Sequence, residues 1–209
     1  MKLSTSILSI PDRELEEKIS ILNQADTDYI HMDVMDGVFV SNNTLSKLEP
    51  TWKWIMKPFD IHLMVEDVKK YVDLYQEYQP VYITFHQETD VDIPAMIDYI
   101  HKKGMKVGLA IKPHTEVTTL LPFLDQLDLV LVMSVEPGFG GQTFLESTLD
   151  RLNWLKKYRM EHQLSFVIEV DGGINQKTVS KVEPFADIIV SGSYIVNGNI
   201  EDNIAQLRI

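Results

Sequence analysis

The chain has 209 residues, of which 44% are hydrophobic and 24% charged, as in an ordinary globular protein. Asp and Glu number 31 against 19 Lys and Arg, and the net charge of -12 argues against nucleic acid or an anionic membrane as a partner. Without any Cys, disulfides and thiolate chemistry are excluded. We expect a cytoplasmic protein, because the sequence has neither a signal-peptide pattern nor an apolar run of ~20 residues.

Short apolar strands alternate with amphipathic helices along the chain. Leu15, Ile19 and Leu22 have helical spacing, and Gly104 follows another helical segment as a stop signal. The predicted strands are Lys2–Ile7, Tyr29–Val34, Phe59–Met64, Tyr82–His86, Lys106–Ile111, Leu129–Ser134, Phe166–Val170 and Ile188–Ser191. Eight strand–helix units predict an α/β protein, a (β/α)8 TIM barrel forming a single domain over residues 1–209. A doubly wound open sheet is the alternative.

Polar residues interrupt the apolar pattern of three predicted strands. In the second strand, His31 and Asp33 share one face, because side chains alternate between the two faces of a strand. His62 lies near the end of the third strand and Asp171 follows the seventh. Active sites of such barrels lie at the carboxyl ends of the strands, so the fold predicts that these four side chains converge.

The four residues have the chemistry of a metal site. Their nitrogen and oxygen donors suit one divalent metal ion, such as Zn, Fe, Mn or Co, and two buried carboxylates without a cation would be costly. Each His taken alone is better explained as structural. With a metal present, Asp33 and Asp171 could remove a proton from one face of a substrate and return one to the other, which inverts a carbon centre. Alternatively, both are only ligands and a metal-bound water hydrolyses the substrate.

Three methionines and one long segment are predicted near the same rim. Met35, Met64 and Met133 fall on inward positions, where thioethers would exclude water from a reactive intermediate without donating protons. Ordinary core packing is the alternative for each of them. Residues Val40–Lys57 are predicted to form a long loop with some helix that could cover the site.

Glycine-containing loops follow the last three predicted strands. Glycines allow the backbone to approach an anion closely, and phosphate sites of these barrels are commonly built after the seventh and eighth strands. The sequence therefore predicts a phosphate site in which backbone N–H groups and a serine hydroxyl replace the scarce cations. Its candidate residues are Gly138, Phe139, Gly140, Gly141, Gly172, Gly173, Gly192 and Ser193.

These segments together resemble the ribulose-phosphate 3-epimerase family over nearly the whole chain. The matching segments are Ser6–Ser9, His31–Gly37, His62–Val65, Val132–Gln142 and Glu169–Ile174. The resemblance implies a barrel that interconverts D-ribulose 5-phosphate and D-xylulose 5-phosphate in the pentose phosphate pathway. It also implies a homo-oligomer, either a dimer or a hexamer.

The resemblance assigns roles to individual residues. His31, Asp33, His62 and Asp171 would bind one divalent metal, and the two Asp would be the catalytic acid/base pair. Ser6, His62 and the glycine loops with Ser193 would bind the substrate, chiefly its phosphate. His86 lies in the family segment His86–Glu88 and could orient a neighbouring side chain.

The sequence departs from the family's usual pattern at rim positions, which leaves the sugar open. Val38 stands where His is usual, Ser41 where Pro is usual and Lys112 where Asn is usual. The alternative substrate is D-allulose 6-phosphate. A non-catalytic sugar-phosphate binding barrel and a different phosphate-binding barrel enzyme, such as a decarboxylase, also remain. The second strand, however, has no Lys in its run Asp33–Asp36, where an orotidine-phosphate decarboxylase would carry one.

Overall fold

The eight strands close into a parallel barrel. The computed structural model describes residues 1–208. Strands pair in chain order from β1 to β8, and β8 returns to β1 with Ile188 beside Lys2. This closure confirms the (β/α)8 barrel and excludes the open sheet. The strands are β1 Lys2–Ser6, β2 Tyr29–Met35, β3 Phe59–Met64, β4 Ile83–His86, β5 Val107–Ile111, β6 Leu129–Met133, β7 Val167–Asp171 and β8 Ile188–Ser191.

Helices of unequal length surround the barrel. They are α1 Leu15–Gln24, α2 Leu45–Leu48, α3 Val68–Tyr75, α4 Ile93–Lys102, α5 Thr148–Glu161, α6 Val179–Val182, α7 Ser193–Val196 and α8 Ile200–Ala205. α1 buries the three apolar residues whose spacing predicts it. Asp92 caps α4 by accepting a hydrogen bond from the Ala95 amide, and Gly104 follows that helix at a positive φ of 78°. Within residues 1–208, no helix is long and apolar enough to cross a membrane.

Two connections depart from a regular strand–helix alternation. The prediction of a helix between β5 and β6 is wrong, because that connection contains only a 3₁₀ turn, Val117–Leu120. Its β-branched residues are poor helix formers, and Pro122 disfavours helical geometry in the residue before it. The segment Val40–Lys57 holds α2 and the 3₁₀ turn Thr51–Lys53, as the prediction of a long loop with some helix requires.

The core has two layers, because strand side chains alternate between the inside and the outside of the barrel. Ile30, Met32 and Val34 of β2 belong to the large cluster that packs strands against helices. Tyr29 belongs to a smaller cluster that includes Leu129 and Leu131 of β6. Every residue of β2 is buried, so its inward polar side chains lie in a space shielded from bulk water.

Candidate active site

Four side chains from three strands converge at the carboxyl end of the barrel. Pairing of β2 with β3 sets Asp33 beside His62, and Asp171 is the last residue of β7. The Nε2 atom of His31 lies 3.4 Å from Oδ1 of Asp33 and 3.9 Å from Oδ2 of Asp171. The Nδ1 atom of His62 lies 3.3 Å and 3.9 Å from the same two oxygens. One donor atom from each residue thus lies within 4.8 Å of the others.

The donor set fits a divalent cation. With metal–ligand bonds of about 2.1 Å, neighbouring donors of a tetrahedral site are about 3.4 Å apart, close to the distances in this cluster. Nε2 of His31 is buried and has no hydrogen-bond partner, so its position suits a ligand atom. The cluster contains no thiolate, which matches the mixed nitrogen and oxygen ligands of catalytic sites. The ligand roles of the four residues remain predictions.

The pKa values of the two carboxylates in the cluster are shifted in opposite directions. Burial raises the pKa of Asp171 to about 6, and repulsion from Asp33 adds to that effect. Burial also disfavours the charged form of Asp33, but contacts with His31 and His62 outweigh it and hold the pKa of Asp33 well below its ordinary value. A divalent cation between the two carboxylates would favour the charged form of both.

A second polar layer lies beneath His31, inside the barrel. The Nδ1 atom of His31 lies 2.5 Å from Oδ2 of Asp60, and Ser4 Oγ donates to the other Asp60 oxygen at 2.6 Å. Glu169 is fully buried nearby, and its Oε1 has no hydrogen-bond partner. Burial, reinforced by Asp60, raises the pKa of Glu169 well above its ordinary value.

Sequence reasoning missed this second layer, although a signal for it exists. Asp60 lies two residues before His62, and Glu169 lies two residues before Asp171. Side chains two apart on a strand share a face, so both acids point into the barrel with the predicted ligands.

The cluster forms the floor of an open cavity of about 540 Å³ at the carboxyl ends of the strands. Asp33, Asp171 and Ser6 line it, and Ser6 Oγ donates to Oδ2 of Asp33 at 2.7 Å. Both His31 and His62 are fully buried below the lining. The predicted contact of His62 with substrate is therefore not supported by its position. The three methionines of the predicted cap, Met35, Met64 and Met133, all line the cavity.

The glycine loops also line the cavity. All eight candidates for phosphate contact line it: Gly138, Phe139, Gly140, Gly141, Gly172, Gly173, Gly192 and Ser193. Lys177, which sequence reasoning missed, is the only Lys or Arg of the described chain in the lining. An anion would therefore meet chiefly uncharged donors there, consistent with the net charge of -12.

The segment after β2 contacts the glycine loop that follows β6. Asn42 donates from its side-chain amide to the carbonyl oxygen of Gly138 at 2.8 Å. A Cβ atom on Gly138 would lie 3.4 Å from the side chain of Val40. The ammonium of Lys112 lies 4.1 Å from the ring centroid of Phe39. Lys112, Val38 and Ser41 do not line the cavity.

Glycine is required at position 173 for backbone reasons. Its φ of 64° is left-handed, and an added Cβ would lie 2.5 Å from the backbone nitrogen of Phe144. We expect Gly173→Ala to destabilise the fold by about 2–4 kcal/mol, as strain and overpacking add. Gly104→Ala is the matched control, because Gly104 has a similar φ of 78° and no atom within 4 Å of its added Cβ. Urea unfolding of both variants checks this, and equal losses of stability would contradict the steric argument.

Comparison with known sequences identifies the family. The sequence model of the ribulose-phosphate 3 epimerase family matches residues 2–196. The chain belongs to this family. The matched range contains all four predicted metal donors and all the predicted substrate contacts, so the resemblance expected from the sequence motifs is confirmed.

Named members of the ribulose-phosphate 3-epimerase family align over nearly their full lengths. The ribulose-phosphate 3-epimerase of Helicobacter pylori strain J99 is 36% identical over 198 residues, covering 93% of this chain and 90% of the relative. That of Bacillus subtilis is 36% identical, covering 93% of this chain and 92% of the relative. That of Schizosaccharomyces pombe is also 36% identical and covers 99% and 92%.

Solved structures of more distant proteins share the barrel of this epimerase-family member. The 3-hexulose-6-phosphate synthase of Salmonella typhimurium superposes with a TM-score of 0.69 at 17% identity, covering 99% of this chain and 96% of that one. KGPDC from Streptococcus mutans has a TM-score of 0.67 at 13% identity, covering 99% and 94%. At such low identity these likenesses support the fold alone.

Proposed function

We propose that the protein is a metal-dependent ribulose-phosphate 3-epimerase, which inverts C3 of D-ribulose 5-phosphate to give D-xylulose 5-phosphate. One observation carries the proposal: Asp33 and Asp171 meet two His nitrogens on the floor of a cavity that glycine loops also line. Relatives of that name, 36% identical over more than nine-tenths of the chain, support the same activity.

His31, Asp33, His62 and Asp171 would hold one divalent cation, either Zn, Fe, Mn or Co. When bound, the cation would polarise the C2 carbonyl of the substrate and stabilise the negative charge that develops when the C3 proton leaves. The protein supplies the ligands in a fixed arrangement, because three neighbouring or facing strands of the barrel carry them.

Inversion at C3 requires proton removal on one face of the substrate and proton delivery on the other. Asp33 and Asp171 both border the cavity, and together they supply one base and one acid. Ser6 holds one oxygen of Asp33 by its hydrogen bond, so that carboxylate is oriented before the substrate enters. A non-catalytic sugar-phosphate binder needs no such pair, which favours the epimerase.

The cavity walls match the other needs of the reaction. Met35, Met64 and Met133 would keep water from the planar intermediate without offering it a proton. The glycine loops and Ser193 would bind the phosphate through backbone N–H groups, with Lys177 as an added cation. Val38, Ser41 and Lys112, where the sequence departs from the family pattern, lie outside the lining, and this favours the family's usual substrate over D-allulose 6-phosphate.

A solvent-deuterium assay tests the reaction and identifies the sugar. The protein is incubated in D₂O with D-ribulose 5-phosphate, D-xylulose 5-phosphate and D-allulose 6-phosphate in turn. We expect deuterium at C3 together with epimerisation of the two pentose phosphates. Faster turnover of D-allulose 6-phosphate would replace the substrate assignment, and binding without deuterium uptake would overturn the epimerase.

Removal of the metal tests the predicted cofactor. We expect a chelator to lower activity by at least about 100-fold and one of Zn²⁺, Fe²⁺, Mn²⁺ or Co²⁺ to restore it, since the cation stabilises the developing charge. Full activity of protein shown by elemental analysis to be metal-free would contradict this.

We also propose that the enzyme is a dimer or a hexamer, which light scattering would determine.

A further inference from the structure

His62 belongs to a chain of polar side chains that leads away from the cavity. Its Nδ1 atom faces the carboxylates of Asp33 and Asp171, while its Nε2 atom lies 2.8 Å from Nε2 of His86. Nδ1 of His86 in turn lies 3.0 Å from Oε2 of Glu88. Both imidazoles are fully buried, so each ring nitrogen has only the partner described.

Glu88 is held firmly at the end of this chain. Its Oε1 accepts a hydrogen bond from the Lys112 amide at 2.8 Å and another from the Thr115 hydroxyl. The guanidinium of Arg151 donates to the backbone carbonyls of Lys112 and Thr115, at 2.7 Å and 3.2 Å, and so fixes the turn that carries both donors. The loop after β5 thereby sets the position of a carboxylate on the loop after β4.

The order of hydrogens along this chain follows from donor and acceptor chemistry. An ionised carboxylate only accepts, so the His86 nitrogen facing Glu88 carries the hydrogen. A neutral His86, favoured by complete burial, then has a lone pair on Nε2. The facing Nε2 of His62 must donate to that lone pair, so a His62 ring with one hydrogen has its lone pair on Nδ1.

We propose that Glu88 and His86 are positioning residues that fix the tautomer of His62, so that its Nδ1 lone pair points at the predicted metal site. The role rests on the proposed metal centre, because only a bound cation needs that lone pair. Neither residue lines the cavity, so they act through His62 rather than on the substrate.

Glu88→Gln is the sharpest test, because it changes hydrogen positions with almost no change of shape. If the variant's amide carbonyl stays with the Lys112 amide, its NH₂ group faces His86 and favours the opposite tautomer. If the variant's side-chain amide is rotated by 180°, its NH₂ group faces the backbone N–H of Lys112 instead. Two donors then face each other, which is unfavourable. We expect the Kd for Zn²⁺, measured by calorimetry, to rise about 10–100-fold, the usual effect of losing a group that orients a metal-binding side chain.

Two matched variants accompany this measurement. Glu66→Gln makes the same charge change on an exposed side chain after β3, and we expect wild-type Zn²⁺ affinity. His86→Phe removes the acceptor for His62 and should weaken Zn²⁺ binding by the same 10–100-fold as Glu88→Gln, which keeps the test decisive even if one variant folds poorly. Zn²⁺ affinity of Glu88→Gln equal to that of wild type would overturn the proposal.

Nitrogen-15 NMR of the imidazoles provides a readout that a purely structural role would not move. In the wild type we expect the hydrogen of His86 on Nδ1, both with and without Zn²⁺, and a different tautomer distribution in Glu88→Gln. A hydrogen on Nε2 of His86 in the wild type would overturn the proposal. Because this readout needs no metal, it separates failure of the tautomer assignment from failure of the proposed metal centre, which would appear as a wild type that binds no Zn²⁺.

Discussion

Replacement of Asp171 by Asn is expected to lower the rate of C3 proton exchange with solvent by about 10³-fold, the range typical of a lost general acid or base. The amide keeps an oxygen where the carboxylate had one, but it cannot carry the proton. Asp171 is the better exposed carboxylate of the pair, with 17% of its side chain accessible against 5% for Asp33. NMR detection of deuterium uptake at C3, with metal content measured on the same sample, checks the result.

The stability of this variant separates loss of chemistry from loss of structure. The folded protein raises the pKa of Asp171 to about 6, so at pH 7 the ionised carboxylate lowers the free energy of unfolding. A neutral Asn removes this loss of stability. Metal-free Asp171→Asn should therefore be at least as stable as the metal-free wild type at pH 7. Asp33→Asn should lose activity to a similar extent but lose stability as well, because Ser6 and both His residues favour the charged form of Asp33. Retention of full activity by either variant would eliminate the two-carboxylate mechanism.

The strands could be predicted closely because each is a short apolar run between turn signals. β3 and β8 have the predicted bounds, and β2 extends one residue further, to Met35. The helical layer was less predictable, since β-branched residues and proline permit only a 3₁₀ turn at Val117–Leu120. There the apolar residues Val117 and Leu120 are buried without a helix, so burial alone does not determine the element.

The cavity residues could be predicted because loops after neighbouring strands meet at one end of a barrel. The contacts of the residues that support them could not, because these contacts depend on strand register. The pairing of β2 with β3 sets Asp60 beside His31, and the residues are 29 positions apart in the chain. The pairing of β4 with β5 likewise brings Glu88 to the Lys112 amide. A strand pattern shows which face a side chain occupies but not which side chain of the next strand it meets.

Asp60→Ala is expected to cost about 2–4 kcal/mol of folding free energy and to weaken metal binding about 10–100-fold. The variant leaves Nδ1 of His31 and the Ser4 hydroxyl without their acceptor in a space closed to water. It also removes an attraction that, with Asp33, raises the pKa of His31 well above its ordinary value against the opposing effect of burial. The variant also removes the repulsion between Asp60 and Glu169. Burial already favours the neutral form of Glu169, so this gain in stability is smaller than the losses.

Asp60→Asn is the matched control, because its carbonyl can still accept from His31 while its amide donates to the Ser4 oxygen. The control should retain most of the stability and bind metal within about tenfold of the wild type, since it preserves the orientation of His31. Urea unfolding and calorimetric Zn²⁺ titration measure both effects on the same protein. If Asp60→Ala bound Zn²⁺ as tightly as Asp60→Asn, His31 would not need its buried partner. The barrel interior would then serve packing alone, and the four donors at the cavity floor would be oriented by their strands without help from the layer beneath.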